Sequence, residues 1–391
     1  MIEGALVVDA VVHGFNFKPE NCRFPFVAQV NHALYHWIFD QLHPQDDPRY
    51  KLTREEFENL FDLQPALMES VLFRESPVDV GVYHGVPMYG FYGDGSSPIS
   101  VAEPIRARYP HRLAIYGGLS PWEPNALQKL DTLIDDRKVI GIKMYPVDAV
   151  DGELKQVRLD EDHMMAILDR AQSKGLKVVA IHKALPLGPV TVDRYGVEDI
   201  APAAKAFPGL KFEIVHGGFA FRDETADLLS RFANVCVNLE AAPLYATNFS
   251  DLFGEMLAPL LATGAHDRIF FSSGATGAHP SPCIQAFWRM DMPRGYPALT
   301  PEIKRGILGE NFARHHGWDI DAIKAACAAD VFGQATERAE PWSVVRAHAA
   351  KQVQAAACAF PPDPLAPARA GAVARASTTT ECISVAESGR R

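Results

Sequence analysis

The chain has 391 residues, 48% hydrophobic and 22% charged, an ordinary balance for a soluble globular protein. A formal net charge of -10, with no dense Lys/Arg stripe interleaved with aromatics, argues against a nucleic-acid partner, and no apolar run approaches the roughly 18 to 20 residues of a membrane helix. The six cysteines show neither CxxC spacing nor a pairing pattern, as in reduced cytoplasmic proteins.

The N-terminal MIEGALVVDAVVHG is apolar but carries Glu3 and Asp9 and has no basic region, so neither a signal peptide nor an anchor is expected. Within it VVDAVV reads as a first strand that ends at His13. An insertion follows from Phe15 to Leu72. Its amphipathic segment FVAQVNHALYHWIFDQL predicts a helix that either covers a barrel mouth or pads its flank. His32 and His36 on that helix have the i, i+4 spacing of a ligand pair, and equally of a satisfied or exposed pair.

VDVGVYHG around residue 80 is the second strand, and GDGSSP at 93–98 reads as a loop, since no G-K-[ST] follows to cradle a phosphate. From about Arg112 to Ser273 strand-like segments (LAIYGGL, VIGIKMY, LKVVAIH, LKFEIVH, VCVNLE, IFFSS) alternate with helical ones such as EPNALQKLDTLIDD and RDETADLLSRF. Eight such units imply parallel pairing with helices outside, an α/β protein of the (β/α)8 TIM-barrel class over residues 1–330. SPCIQAFWRM and PEIKRGILGENFARHHG complete the outer layer, and the GATGAHPSP loop brings His279 within reach of the mouth. From residue 331 to 391 an extension is expected: one helix in ERAEPWSVVRAHAAKQVQAAA, then a flexible tail rich in Pro, Ala, Ser and Thr.

His13, His182 and His216 each end a β-branched run, where a parallel barrel aims its last side chains into the mouth. Neutral imidazoles converging there can hold a divalent metal or move protons. Lys143 ends GIKMY and Glu240 ends VCVNLE, so both also face the mouth. Lys143 could anchor a substrate carboxylate, or pair with Glu213 or Glu240; Lys183 is a second candidate anchor.

Taken in order, VVDAVVHG, GIKMYP, VVAIH, FEIVHGG and ILGENFARHHG resemble the amidohydrolase-related superfamily, in the branch of aminocarboxymuconate-semialdehyde decarboxylase and its hydrolase relatives, over roughly residues 4 to 320. The family pattern is a His-x-His pair ending the first strand, histidines ending the fifth and sixth, and an aspartate ending the eighth. The resemblance implies His13 as the second histidine of the pair, His182 as a metal ligand and His216 as the proton-transfer residue. Val11 stands where the first histidine is expected, and Gly274 where the aspartate is expected.

Three readings follow. A metal, Zn before Mn or Fe, is held by His13, His182 and Glu240 and assists hydrolysis of a small carbonyl or carboxylate compound, or its non-oxidative decarboxylation. Alternatively the metal is absent, as Val11 and Gly274 allow, and His182 and His216 act as acid and base with Lys143 holding the substrate. In the third reading the barrel only binds a ligand. The partners expected are a small-molecule substrate and a second copy of the chain, a homodimer implied by the resemblance, in the cytoplasm.

Overall fold

Eight short parallel runs lie side by side in chain order: β1 Val8–Val12, β2 Val80–His84, β3 Leu113–Gly118, β4 Gly141–Met144, β5 Val178–His182, β6 Lys211–Val215, β7 Val235–Asn238 and β8 Ile269–Phe270. The computed structural model describes residues 1–359, so the tail expected beyond Pro361 lies outside the described residues. The ring closes between β1 and the segment after β8: Ala10 N–H donates to Phe271 O at 3.0 Å, Gly274 N–H to Val11 O at 3.1 Å, and Thr276 N–H to His13 O at 2.9 Å. This is the expected (β/α)8 barrel.

Strand residues alternate between two apolar environments, as a period of two requires. Val12, Ile115, Ile142, Val179, Ile214 and Val237 face outward and pack with the helices. Val8, Ala10, Val82, Tyr116, Ala180, Val215 and Phe270 fill the bore. The inward set carried on to the strand ends is Val80, Val82, His84 on β2; Val178, Ala180, His182 on β5; and Cys236, Asn238, Glu240 after β7, and all are buried. The outer helices follow the same logic: Ala126–Asp135 buries Ala126, Leu130 and Leu133, spaced i, i+4, i+7.

The insertion forms the expected helix, Pro25–His36, which continues as a wider turn over Trp37–Leu42. It lies over the mouth: the Trp37 indole N–H donates to the Tyr245 hydroxyl at 3.0 Å, and its ring is 5.9 Å from Phe219. His32 and His36 sit on its exposed side, where His36 pairs with Asp40. Residues Met1–Ala347 form one compact unit, and the predicted last helix spans Ser343–Ala359. At its start Trp342 is fully buried, with its indole N–H on Tyr50 O at 2.8 Å. Among the described residues no helix is long and apolar enough to cross a membrane.

Asp9, on β1, pins the closing seam. Its buried carboxyl accepts the Ser273 N–H at 2.9 Å and bonds the Ser273 hydroxyl. Burial pushes its pKa up to about 7, against those hydrogen bonds and with a further push from Glu240. The folded chain therefore keeps a proton that the unfolded chain gives up near pH ~4, so Asp9 lowers stability progressively as pH rises from about 4 to about 7. Asp9→Asn is expected to flatten this dependence. Urea unfolding of both proteins between pH 5 and 8 should show the variant gaining on the wild type with rising pH; a constant difference would refute the protonated carboxyl.

Candidate active site

The strand ends bring His13, His84, Lys143, His182, His216 and Glu240 together, all nearly or fully buried. Backbone carbonyls set the tautomer of three of the rings. His13 Nδ1 donates to His84 O at 2.8 Å, His182 Nε2 to Leu185 O at 2.7 Å, and His216 Nδ1 to Glu240 O at 3.0 Å. A neutral imidazole that donates from one nitrogen carries a lone pair on the other. Those lone pairs point at one another and at the carboxylate: His13 Nε2 is 2.9 Å from Glu240 Oε1, His216 Nε2 is 3.3 Å from Glu240 Oε2, and His216 Nε2 is 3.1 Å from His182 Nδ1.

Acceptor facing acceptor at these distances is repulsive unless a proton or a metal ion lies between. A donor array oriented from behind by backbone carbonyls is also how ligating histidines are held. The residues present thus fit a divalent cation in chemistry, and the Glu240 Oε2 atom, buried without a hydrogen-bond partner, is an open acceptor for it. In arrangement the donors form a chain from His13 through Glu240 and His216 to His182; His13, His182 and Glu240 do not all lie within 4.8 Å of one another.

Three of the nine non-glycine residues with positive φ among the described residues lie here. Ala184, His216 and Ala241, just at or after the ends of β5, β6 and β7, have φ of 60°, 67° and 66°. Non-glycine residues in this region cost of order 1–3 kcal/mol each and concentrate where geometry serves function.

Gly274 (φ 75°) stands where the resemblance leads one to expect an aspartate. A Cβ there would stand 3.4 Å from Glu240 Oε1, so the carboxylate from β7 fills the space beside position 274. Val11 is part of the apolar filling of the bore. His84, which sequence reasoning passed over, adds an imidazole from β2: neither ring nitrogen has a partner, and its ring stacks on Tyr116 with centroids 4.5 Å apart. Its signal was the same as that of its neighbours, a β-branched run closed by histidine in VGVYH.

Charge follows burial. Desolvation, then Lys143 and His13, hold His84 well below the usual imidazole range; desolvation, then His216 and Lys143, do the same to His182. Desolvation pushes His216 down to about 4, against the pull of Glu240. Lys143 is lowered by burial, with Glu240 and Glu213 opposing. Burial would raise the Glu240 carboxyl, but His216, His13 and Lys143 together keep it ionised.

Lys143 Nζ lies 3.7 Å from Glu240 Oε2 and has no hydrogen-bond partner. It is not among the residues lining the mouth cavity. Lys183 is paired with buried Asp199 at 2.8 Å, and His279 is held by Glu75 at 3.1 Å, so neither joins the site. The cavity, about 100 Å³, has His182, His216, Glu240 and Gly274 at its base and Phe15, Phe17, Leu34, Trp37, Phe91 and Tyr145 in its walls. The GDGSSP segment is a turn at its edge whose Ser96–Ser97 pair antiparallel with Val86–Pro87, and Asp94 accepts from Asn16 and Asn21.

Over residues 101–317, more than half its length, the sequence matches the family described as amidohydrolase. The chain belongs to the amidohydrolase family. As a member it is an enzyme, with hydrolase and decarboxylase chemistry both open. No curated protein matches this amidohydrolase in sequence. Among solved structures it is similar to an uncharacterized TIM-barrel protein from Bordetella bronchiseptica (16% identity, TM-score 0.57, covering 80% of this chain and 99% of that one). It is also similar to 2,6-dihydroxybenzoate decarboxylase from Rhizobium (13%, 0.52, 81% and 99%) and to a 5-carboxyvanillate decarboxylase from Novosphingobium aromaticivorans with bound manganese (12%, 0.51, 81% and 98%). At these identities the likeness shows the fold.

Removing one partner of a buried pair leaves an uncompensated charge. Glu240→Gln is therefore expected to destabilise this amidohydrolase by about 3–5 kcal/mol, and a second change, Lys143→Met, to recover much of the loss. A denaturation double-mutant cycle measures the coupling; strictly additive effects would show that the ammonium does not sense the carboxylate.

Proposed function

We propose that the protein is a metal-assisted hydrolase of a small carbonyl or carboxylate compound. The observation that carries this reading is the direction of the lone pairs: three rings fixed by backbone carbonyls turn acceptors along a chain that runs through one carboxylate, a set that suits a cation and a base rather than an acid. His13, His182 and Glu240 would hold the ion, and a divalent cation there supplies Lewis-acid polarisation of a substrate carbonyl. Zinc suits two imidazoles and a carboxylate, and manganese or iron are the other ions this donor set accepts.

The remaining roles fall to the chain's own groups. His216 Nε2, unprotonated and at the cavity base, takes the proton of the attacking water. Its low basicity, from burial, is offset as the proton arrives, because Glu240 Oε2 lies 3.3 Å from the same nitrogen and stabilises the imidazolium. Tyr145, stacked on His182 with centroids 4.6 Å apart, fixes the ring plane. The Trp37 and Leu34 side chains of the covering helix exclude bulk water, which strengthens each electrostatic contact inside. Lys143 acts from beneath, holding Glu240 as an anion. A cytoplasmic homodimer completes the proposal.

A second reading, non-oxidative decarboxylation of a small aromatic acid, is favoured by the aromatic lining of the cavity and by the decarboxylases that share the fold. Product analysis separates the two. A panel of lactones, amides and aromatic acids incubated in 18O-labelled water is expected to yield labelled product without CO2; CO2 release without label would replace hydrolysis by decarboxylation. His216→Ala should lower kcat by roughly 10²–10⁴-fold while metal content stays unchanged. His182→Ala should lose one equivalent of metal by elemental analysis, and full retention would reject His182 as a ligand.

A further inference from the structure

The opposite end of the barrel carries a second cluster that the mouth does not use. The helix Asn311–His316 closes that end: Asn311 Nδ2 donates to Ile269 O, at the start of β8, at 3.0 Å, and Lys211 Nζ, at the start of β6, bonds His315 O. Gly309, just before it, packs so tightly on β1 that a Cβ would lie 2.6 Å from Leu6 O. The helix ends at Gly317 in the left-handed region (φ 68°), and its last two residues meet Glu213.

Glu213 projects into the bore from the middle of β6 and is fully buried. One of its oxygens, one ring nitrogen of His315 and one of His316 all lie within 4.8 Å of one another, the one such trio among the described residues. The hydrogen bonds around it are incomplete. Tyr116 donates to Glu213 Oε1 at 2.7 Å and lies 2.7 Å from His316 Nε2, while Glu213 Oε2 has a long 3.5 Å contact with the Asn238 amide. His315 Nε2 is buried with no hydrogen-bond partner, 3.3 Å from Glu213 Oε1, and its side chain is only 5% exposed. A carboxylate has about four acceptor sites, so Glu213 retains unused capacity where an apolar bore offers nothing to fill it.

We propose that Glu213, His315 and His316 form a second metal site, at the barrel floor, for a zinc-class divalent ion. Two imidazoles and one carboxylate suit Zn(II), Co(II) or Ni(II), whereas Ca(II) and Mg(II) require oxygen donors. Cys236 Sγ, 3.5 Å from His315 Nδ1, faces the nitrogen on the other side of that ring. The ion would join β6 to a helix about a hundred residues later in sequence and stabilise the native state by mass action. It stands apart from the mouth chemistry and takes no part in it.

The full-length protein, stripped with chelator and titrated with ZnCl2, tests the site. A mouth variant, His13→Ala with Glu240→Gln, is expected to bind one zinc equivalent still and to show a higher Tm with zinc. Co(II) in the same variant should give d–d absorption of a tetrahedral N/O site. His315→Ala, His316→Ala and Glu213→Gln, with circular dichroism to verify folding, should each lose that equivalent. Zinc-edge anomalous diffraction from wild-type crystals needs no variant and should place a peak between Glu213 and His315. A floor variant that retains all its zinc, or wild-type crystals with no peak there at saturating zinc, overturns the proposal.

Discussion

The burial of the Glu240 carboxylate is the constraint around which the mouth is arranged. A carboxylate in an apolar bore is tolerated only when charges or donors surround it. Here Lys143 approaches Glu240 Oε2 to 3.7 Å, while His13 and His216 face the two oxygens through ring nitrogens that need a proton or a cation between them and the carboxylate. Each requirement passes outward to the backbone. His13 is oriented by the carbonyl of His84, His216 by that of Glu240 itself, and His182 by that of Leu185. The strained φ values of Ala184, His216 and Ala241 follow from bringing these groups to one point. Strand packing would not select such backbone conformations by itself.

The exchange of residues along the barrel rim has the same logic. The aspartate expected at 274 and the histidine expected at 11 are absent, and the bore contains instead one carboxylate at 240 and one unpartnered imidazole at 84. Position 274 adopts φ 75°, a conformation that suits glycine, and a Cβ there would be in van der Waals contact with Glu240 at 3.4 Å. Glu240, one strand earlier in the ring, lies 2.9 Å from the β1 histidine His13. Losing ligand positions in the linear pattern is therefore a different matter from losing the donor set, because neighbouring strands of a closed barrel reach the same volume.

Much of the fold could be read from the chain because its parallel strands are buried on both faces. That condition writes near-continuous apolar runs such as KVVAIH and KFEIV between amphipathic helices. The strand-end groups His13, His182, His216, Lys143 and Glu240 were visible for the same reason, since a polar residue closing a β-branched run stands out. What stayed hidden depends on closure. Asp9 lies within a strand and meets Ser273 only where the ring joins. The covering role of the Pro25–His36 helix depends on contacts with Phe219 and Tyr245, about two hundred residues later, which no local pattern encodes. Glu213 was noted only as a partner for Lys143, and the His315–His316 pair read as the tail of a surface helix, because nothing in either segment tells that a strand centre and a helix end share the barrel floor.

Counting charge along the bore ties the two ends together. Glu240 near the mouth and Glu213 near the floor both act on Lys143, which is fully buried between them. The layer formed by Ala10, Val82, Ala180 and Val215 is apolar and buried, so contacts within the bore are little screened. Each of the two glutamates has its own histidines beside it. At the mouth the rings are fixed with their lone pairs inward; at the floor His315 Nε2 is buried without a hydrogen-bond partner, 3.3 Å from Glu213 Oε1. Cation binding at either end would meet polar atoms that the folded chain leaves open, Glu240 Oε2 at the mouth and His315 Nε2 at the floor.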